Sequence, residues 1–390
     1  MSDVPPEVID QIFTRLPVKS LLRFRCVSKP FCDLIDSPDF IKSHLDRTLN
    51  STSQRNIIVN SYSDLYALDF DSLDNPNLLN QPGKSEYVGT QVLGHSNGLL
   101  CLLANEDVFL WNPSTRMHKK LPVSEIEFPD TPNFTGCERM IYGFGYDCVS
   151  DDYKVVRIIH FFGEVENEVK VYSMKSDSWR RIEDFPYFLR YKHAHGVLVG
   201  GALHWAVTLD DDLDDPERWI ASFDIATEEY HMIPRPEYVE MGFHMNVGEL
   251  GGKLTVQCNY DMIYMDIWVM NIYGVRESWT KLFSVAQPID LPRFEYLRPF
   301  AYSKDGKKVL LEQDGGKLLW YDLEFKVLKG IRIANVPQFL EAFVCMQSLV
   351  KLTGVAKTVV ASQEKKKKKK QNKTQQKRHE FLSKGFKLKL

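Results

Sequence analysis

Near the start of the chain, the apolar residues Val8, Ile12 and Leu16 recur every four positions, with Ile9 and Phe13 as a second row beside them. That spacing predicts one amphipathic helix with a broad apolar face, from about Val4 to Leu16. Asp3 is placed to cap it, Pro5 and Pro6 fall in the first turn where missing N–H groups cost least, and Pro17 closes it. A second helix is expected in VKSLLRFRCVSK, where Val18, Leu21, Leu22, Phe24 and Val27 are apolar and Arg23 and Arg25 mark the wet side. A third short segment carries Phe31, Leu34 and Ile35, and beyond Pro38 the run DFIKSHLDR adds Phe40, Ile41 and Leu45. About forty residues cannot bury so much apolar surface alone. The excess either packs on the downstream chain or docks a separate protein, and the second reading is the functional one.

Residues 47–55 are polar and read as a linker, and from Asn56 the period changes to short apolar runs broken by Gly, Asn, Asp and Pro, the mark of β-structure. Five stretches repeat a strand, a turn and a return strand: VFLWNPSTRMHKKLP, VKVYSMKSDSWRRI, IASFDIATEEYHMIP, DIWVMNIYGVRESWTKL and LLWYDLEFKVL. Aligned on Trp111, Tyr172, Phe223, Met270 and Tyr321, they are spaced by 61, 51, 47 and 51 residues, which is blade length. Trp179 and Tyr230 follow their anchors by seven residues and Trp279 follows by nine, which places an aromatic on the return strand across each hairpin.

A second strand type lies between these copies, in SNGLLCL, GVLVGGALHWAV, GELGGKLTV and DGGKLLW. The glycine pairs at 200–201, 251–252 and 315–316 supply the positive φ of a tight hairpin. With a weaker first copy, NIIVNSYSDLYALDF, the count reaches about six blades. A β-propeller closes its sheets around an axis and so protects their edges. A β-sandwich is the other architecture compatible with the uneven spacings.

Charge divides the chain. From Thr353 to the end, 12 Lys and one Arg stand against two Glu, while the rest carries 36 basic and 50 acidic residues. The acidic body argues against nucleic-acid binding by the propeller, since phosphate contacts need clustered Lys and Arg. The basic tail, including Lys365 to Lys370, has too little apolar content to fold and is read as disordered. A solvated extension, a nuclear-import signal and a nucleic-acid or membrane-surface contact remain open for it. Seven cysteines at 26, 32, 101, 137, 148, 258 and 345 lack C-x-x-C spacing, which speaks against a disulfide framework or a zinc ribbon. With no leader-like or membrane-spanning run in view, the expectation is a reduced compartment, cytoplasm or nucleus, and no membrane insertion.

Signatures of catalysis are sparse. The sequence holds no G-x-x-x-x-G-K-[ST], G-x-G-x-x-G, G-x-S-x-G or H-E-x-x-H. Gly143-Phe144-Gly145 is read as a blade turn. His193 and His195 would share a strand face but have no Cys or acidic ligand at metal-site spacing, so neither a metal nor another cofactor is expected. The acidic run from Asp210 to Asp215 lacks the spacing and central Gly of a calcium loop, leaving a solvated loop or a contact to a basic substrate. Substrate recognition is expected on loops of one rim, around 125–139, 161–168, 187–195 and 210–218, with the rim itself undetermined.

The helical residues carry a resemblance. Pro5-Pro6-Glu7-Val8, Ile12-Phe13, the run Arg15 to Leu22 and the run Arg23 to Lys29 resemble a plant F-box, departing at Val4, where the family usually has Leu, and at Pro30. HSNGLLCL, LWNPSTRMHKKLP, YGFGYDCVSDDYKVVRI, VYSMKSDSWRRI, GVLVGGALHW and IASFDIATEEY look like the kelch-like F-box-associated domain, in that family's order. Within the family the chain is most similar to the branch of immune-receptor-turnover regulators and pollen S-locus F-box proteins.

The resemblance implies an α+β multidomain chain. A three-helix F-box occupies residues 1–46, an all-β kelch-like propeller of about six blades occupies 47–352, and a disordered basic tail occupies 353–390. It implies docking of a Skp-type adaptor, and through it cullin and RING subunits, by Pro5, Val8, Ile12, Leu16, Pro17, Leu21, Leu22 and Val27. The propeller would then recruit a protein substrate for ubiquitination and degradation, with no chemistry of its own. A propeller scaffold that binds the adaptor outside ubiquitination and an enzymatic β-propeller are the alternatives.

Overall fold

The computed structural model describes residues 5–51, 55–73, 75–85, 88–128, 137–161, 167–189, 195–209, 218–237, 243–260, 263–286, 294–333, 336 and 341–352. Asp3, Val4, the acidic run 210–215, His193 and the basic tail lie outside the described residues.

Four helices open the chain, one more than the three expected: α1 (Pro6–Phe13), α2 (Val18–Phe24), α3 (Lys29–Ile35) and α4 (Pro38–Leu49). α1 is shorter than its apolar pattern. The Thr14 hydroxyl donates to the Asp10 carbonyl at 3.0 Å, and Leu16 precedes a proline, which disfavours helical backbone. Ser28 and Ser37 cap α3 and α4 by accepting from the Phe31 and Phe40 amides, each at 3.3 Å. Because α4 continues to Leu49, the first residues read as linker are helical. His44 on α4 meets the Leu16 carbonyl at 3.0 Å and so ties the last helix back to the end of the first.

The body is a six-bladed β-propeller of four-stranded antiparallel sheets. Blade 1 contains β24 (Glu341–Met346), β1 (Arg55–Ser61), β2 (Asp64–Asp69) and β3 (Asn77–Leu79), and blade 2 runs through β4 (Thr90–Ser96), β5 (Leu99–Ala104), β6 (Asp107–Asn112) and β7 (Met117–Lys120). Blade 3 holds β8 (Cys137–Asp147), β9 (Asp152–Phe161), β10 (Asn167–Ser173) and β11 (Ser178–Arg181). Blade 4 holds β12 (Val197–Val199), β13 (Ala202–Val207), β14 (Trp219–Asp224) and β15 (Tyr230–Ile233). Blade 5 comprises β16 (His244–Leu250), β17 (Lys253–Tyr260), β18 (Tyr264–Met270) and β19 (Trp279–Ala286), and blade 6 comprises β20 (Leu297–Tyr302), β21 (Lys308–Gln313), β22 (Lys317–Asp322) and β23 (Val327–Ile331).

The ring closes within blade 1, where β24 pairs antiparallel with β1 from Arg55↔Met346 to Asn60↔Glu341. That pairing removes the open edge a linear array would leave. Apolar clusters fill the seams between blades: Val169, Val171, Leu203, Trp205 and Phe223 join blades 3 and 4, and Leu250, Met265, Val309 and Tyr321 join blades 5 and 6.

The expected hairpin pairs are present, with Tyr172 opposite Trp179, Phe223 opposite Tyr230 and Met270 opposite Trp279. Gly200, Gly201, Gly251 and Gly252 adopt positive φ in their turns, whereas in the third pair only Gly315 does, and its positive-φ neighbour is Asp314 rather than Gly316. The Gly143-Phe144-Gly145 segment is not a turn, however. It lies within β8, where a Cβ on Gly143 would sit 2.3 Å from Leu203 and one on Gly145 would sit 2.2 Å from Ile225. These glycines let blade 4 approach the first strand of blade 3.

Up-and-down order fixes two rims. The chain enters β1 beside the end of β24, and the turns between first and second strands share that rim; Gly98 abuts Met346 and Ser348, and Gly251 abuts Tyr302. The helices attach here, as Leu349 packs among them. The opposite rim carries the second-to-third strand turns and the connectors between blades; the Tyr62 carbonyl there accepts from the Thr90 amide, at the start of β4, at 2.7 Å.

Candidate functional site

The helices divide their apolar residues between an inner and an outer set. Phe13, Val18, Leu21, Ile35 and Phe40 form a core, with the Phe13 ring 5.2 Å from Phe24 and 5.0 Å from Phe31. Outside it, Val8 is 42% exposed and Ile12 is 50% exposed, one turn apart on α1, and Val27, just beyond α2, is 67% exposed. Phe24 is exposed near them in sequence, Leu16 and Leu22 are half-buried, and Pro5 and Pro17 are exposed.

Leu21 does not belong to this surface. It is 0% exposed in the core, because the stripe of α2 that holds Val18 and Leu21 turns inward and leaves the following turn outward. It supports the face from behind. The surplus apolar surface is therefore only partly covered within the chain: Leu349 packs into the core, while Val8, Ile12 and Val27 stay exposed.

The second candidate surface is the rim opposite the helices. The strands flanking 125–139, 161–168, 187–195 and 210–218 all end there: β7 and β8, β9 and β10, β11 and β12, and β13 and β14. Much of each stretch lies outside the described residues, but three connectors leading toward this rim are fastened by one recurring device. Trp179 donates to the Pro122 carbonyl at 2.9 Å, Tyr230 to the Glu183 carbonyl at 2.9 Å, and Trp279 to the Pro234 carbonyl at 2.8 Å. The aromatic opposite each hairpin anchor thus holds down the segment arriving from the preceding blade.

Blade 3 adds charge to this fastening. The Arg157 guanidinium donates to the Ser124 carbonyl at 2.9 Å and pairs with Glu168 at 2.6 Å, while Lys170 donates to the Glu125 carbonyl at 2.8 Å. His195 reaches Gln91 of β4 at 2.8 Å, a link between blades 2 and 4 that the sequence reading did not anticipate.

Polar groups also gather among the innermost strands. Burial raises the Glu341 carboxyl to about 7 against the opposing pull of Arg298. Arg298 itself is engaged by the Glu312 carboxylate and the Ala342 carbonyl. Among the described residues no group of three or more His, Cys, Asp or Glu side chains is arranged to hold a metal ion, and no helix is long and apolar enough to cross a membrane.

Comparison with known proteins places these surfaces in context. Residues 1–43 match the F-box domain family, and residues 55–352 match the family described as the F-box associated beta propeller domain. The chain is 40% identical to F-box protein CPR1 of Arabidopsis thaliana, with all of both chains covered. It is 33% identical to F-box protein At4g22390 of the same plant, again over the whole of both chains. Similarity at 33% extends to the Arabidopsis F-box/kelch-repeat protein At3g23880, covering 82% of this chain and 87% of that one.

Proposed function

This chain belongs to the F-box proteins that carry an F-box associated β-propeller domain, and from that premise we propose that it is the substrate-recognition subunit of an SCF-type cullin-RING ubiquitin ligase. A Skp-type adaptor docks on Val8, Ile12 and Val27, flanked by Pro5, Leu16, Pro17 and Leu22. A protein substrate is held on the propeller and is ubiquitinated and degraded.

The observation that carries this reading is the division of the helical residues. Val8 and Ile12, one turn apart on α1, and Val27, just beyond α2, are left uncovered by the helical core, and uncovered apolar groups on an F-box module are what an adaptor-docking face requires. The rim opposite the helices is the substrate surface we favour, because its connectors are fastened to the blade strands, and loops carried on such a scaffold are where recognition residues concentrate.

The chain then needs no chemistry of its own. Holding adaptor and substrate on one body raises the substrate's effective concentration at the partner-bound conjugating enzyme, and proximity lowers the entropic part of the transfer barrier. Family membership favours an adaptor subunit over an enzyme in the same way. The test is reconstitution with purified adaptor, cullin, RING subunit and conjugating enzyme. Ubiquitin transfer to a protein captured by the propeller, lost on Ile12→Asp, supports the reading; transfer indifferent to that change counts against it.

A further inference from the structure

The last described residues leave the propeller and enter the helices. Leu349 is buried in the same cluster as Phe13, Val18, Leu21, Ile35 and Phe40. Two residues on, the Lys351 ammonium donates to the Asp36 carbonyl at 2.8 Å and lies 3.4 Å from its carboxylate. Asp36 terminates α3 and is gripped from the other side by Arg25, Nε to Oδ1 at 2.9 Å and Nη2 to Oδ2 at 2.6 Å. One carboxylate thus joins the ends of α2 and α3 to the C-terminal segment.

The same segment is clamped by the propeller. The fully buried Asn112 donates from Nδ2 to the Ser348 carbonyl at 3.1 Å and to the Val350 carbonyl at 2.9 Å, and the Ser348 amide donates to the Ser114 hydroxyl at 3.3 Å. Gly98 keeps the space open, since a Cβ there would stand 2.7 Å from the Met346 carbonyl and from Ser348.

We propose that residues 348–352 are a working part of the adaptor-docking module, so that adaptor docking is conditional on a closed propeller; this rests on the docking face assigned above. The order of the chain supplies the reason. Leu349 follows directly on β24, the strand that closes the ring, and β24 reaches β1 only when the intervening blades have formed. Until then the helical core lacks one of its buried members, and Asp36 keeps Arg25 but lacks its second cation, Lys351. An incomplete or unclosed chain is thereby withheld from the ligase, and in the closed chain the docking face is held rigidly on the propeller.

Coupling of this kind is reciprocal: if closure strengthens adaptor binding, adaptor binding must strengthen closure. The experiment measures both directions on the full chain, using purified Skp-type adaptor and amide hydrogen exchange. Leu349→Asp is expected to weaken adaptor binding at least tenfold and to abolish protection in α1–α3 while the blade strands keep theirs; Leu349→Met, which conserves volume, is expected to restore both. Lys351→Glu, which sets a carboxylate beside Asp36, is expected to weaken binding severalfold and decides the matter should Leu349→Asp unfold the whole chain. In the unmutated protein, saturating adaptor is expected to slow exchange along β24 and β1, which carry none of the docking residues. Unchanged helix protection and adaptor affinity in a folded Lys351→Glu chain, or β24 exchange indifferent to bound adaptor, would overturn the proposal. If the unmutated chain fails to bind adaptor at all, the docking face itself is refuted, and helix protection in the variants still reports whether the segment completes the helical core.

Discussion

The Nε2 atom of His204 lies 2.7 Å from the Tyr273 hydroxyl, joining the second strand of blade 4 to the outer hairpin of blade 5. Its Nδ1 lies 3.1 Å from the Val197 carbonyl, which can only accept, so Nδ1 carries the proton and Nε2 accepts from the tyrosine. Burial lowers His204 to about 4, and burial does the same to His95 and His160, each beside an arginine.

A folded-state pKa below the unfolded value means that the unfolded chain binds more protons as the solution is acidified. Stability is therefore complete above about pH 6.5 and is lost as the pH falls toward 4. His204 alone, being fully buried, contributes on the order of 3 kcal/mol to that loss. Denaturant unfolding at pH 7, 6, 5 and 4 should show a steady decline. In His204→Gln, already less stable at pH 7, the decline should be visibly shallower.

Arg157 on β9 and Glu168 on β10, diagonal to one another in the register, form an ion pair with 6% and 0% of their side chains exposed. Removing one partner of a buried pair strands the other charge, so Glu168→Leu should destabilise by about 3–5 kcal/mol. The double change Arg157→Met with Glu168→Leu should recover much of that loss. Thermal unfolding of the single and double variants gives the comparison.

Gly143 and Gly145 are sites of close approach, and adding a methyl group tests it. Gly143→Ala pushes against the fully buried Leu203 and should cost about 1–3 kcal/mol. The paired change with Leu203→Ala vacates the space and should be less than additive. Additive losses would mean that the two positions do not share a seam.

On the helices, exposure separates docking from folding. Ile12→Asp should alter stability by roughly 0.5 kcal/mol or less, because the residue stands open, yet should weaken adaptor binding by about 2 kcal/mol or more, roughly thirtyfold. Leu21→Asp should unfold the helices outright, since it sets an unpaired charge in their core. Circular dichroism beside a binding titration distinguishes the two outcomes.

Much of this architecture was legible because it is periodic. Tyr172 with Trp179, and Phe223 with Tyr230, are pairs a hairpin repeat announces, and paired glycines announce the turns. Gly143 and Gly145 were misread because a glycine in a β-rich sequence reads the same in a turn as in a crowded strand; only Leu203 and Ile225, in another blade, distinguish the cases. Leu21 joins the docking set through the family resemblance alone, and neither resemblance nor an amphipathic pattern tells on which side of α2 the module's own core will form; at 0% exposed it lies in that core. Lys351 gave no signal at all: its partner Asp36 is 315 residues away, and only the closed ring brings them together.

The most direct test of the account is co-purification from plant extract of the full chain and of its folded Ile12→Asp variant, with bound proteins identified by mass spectrometry. The account predicts that a Skp-type adaptor and a cullin accompany the unaltered chain and are absent from the variant, while proteins held by the propeller accompany both. A well-folded, unaltered chain that brings down neither adaptor nor cullin would contradict it.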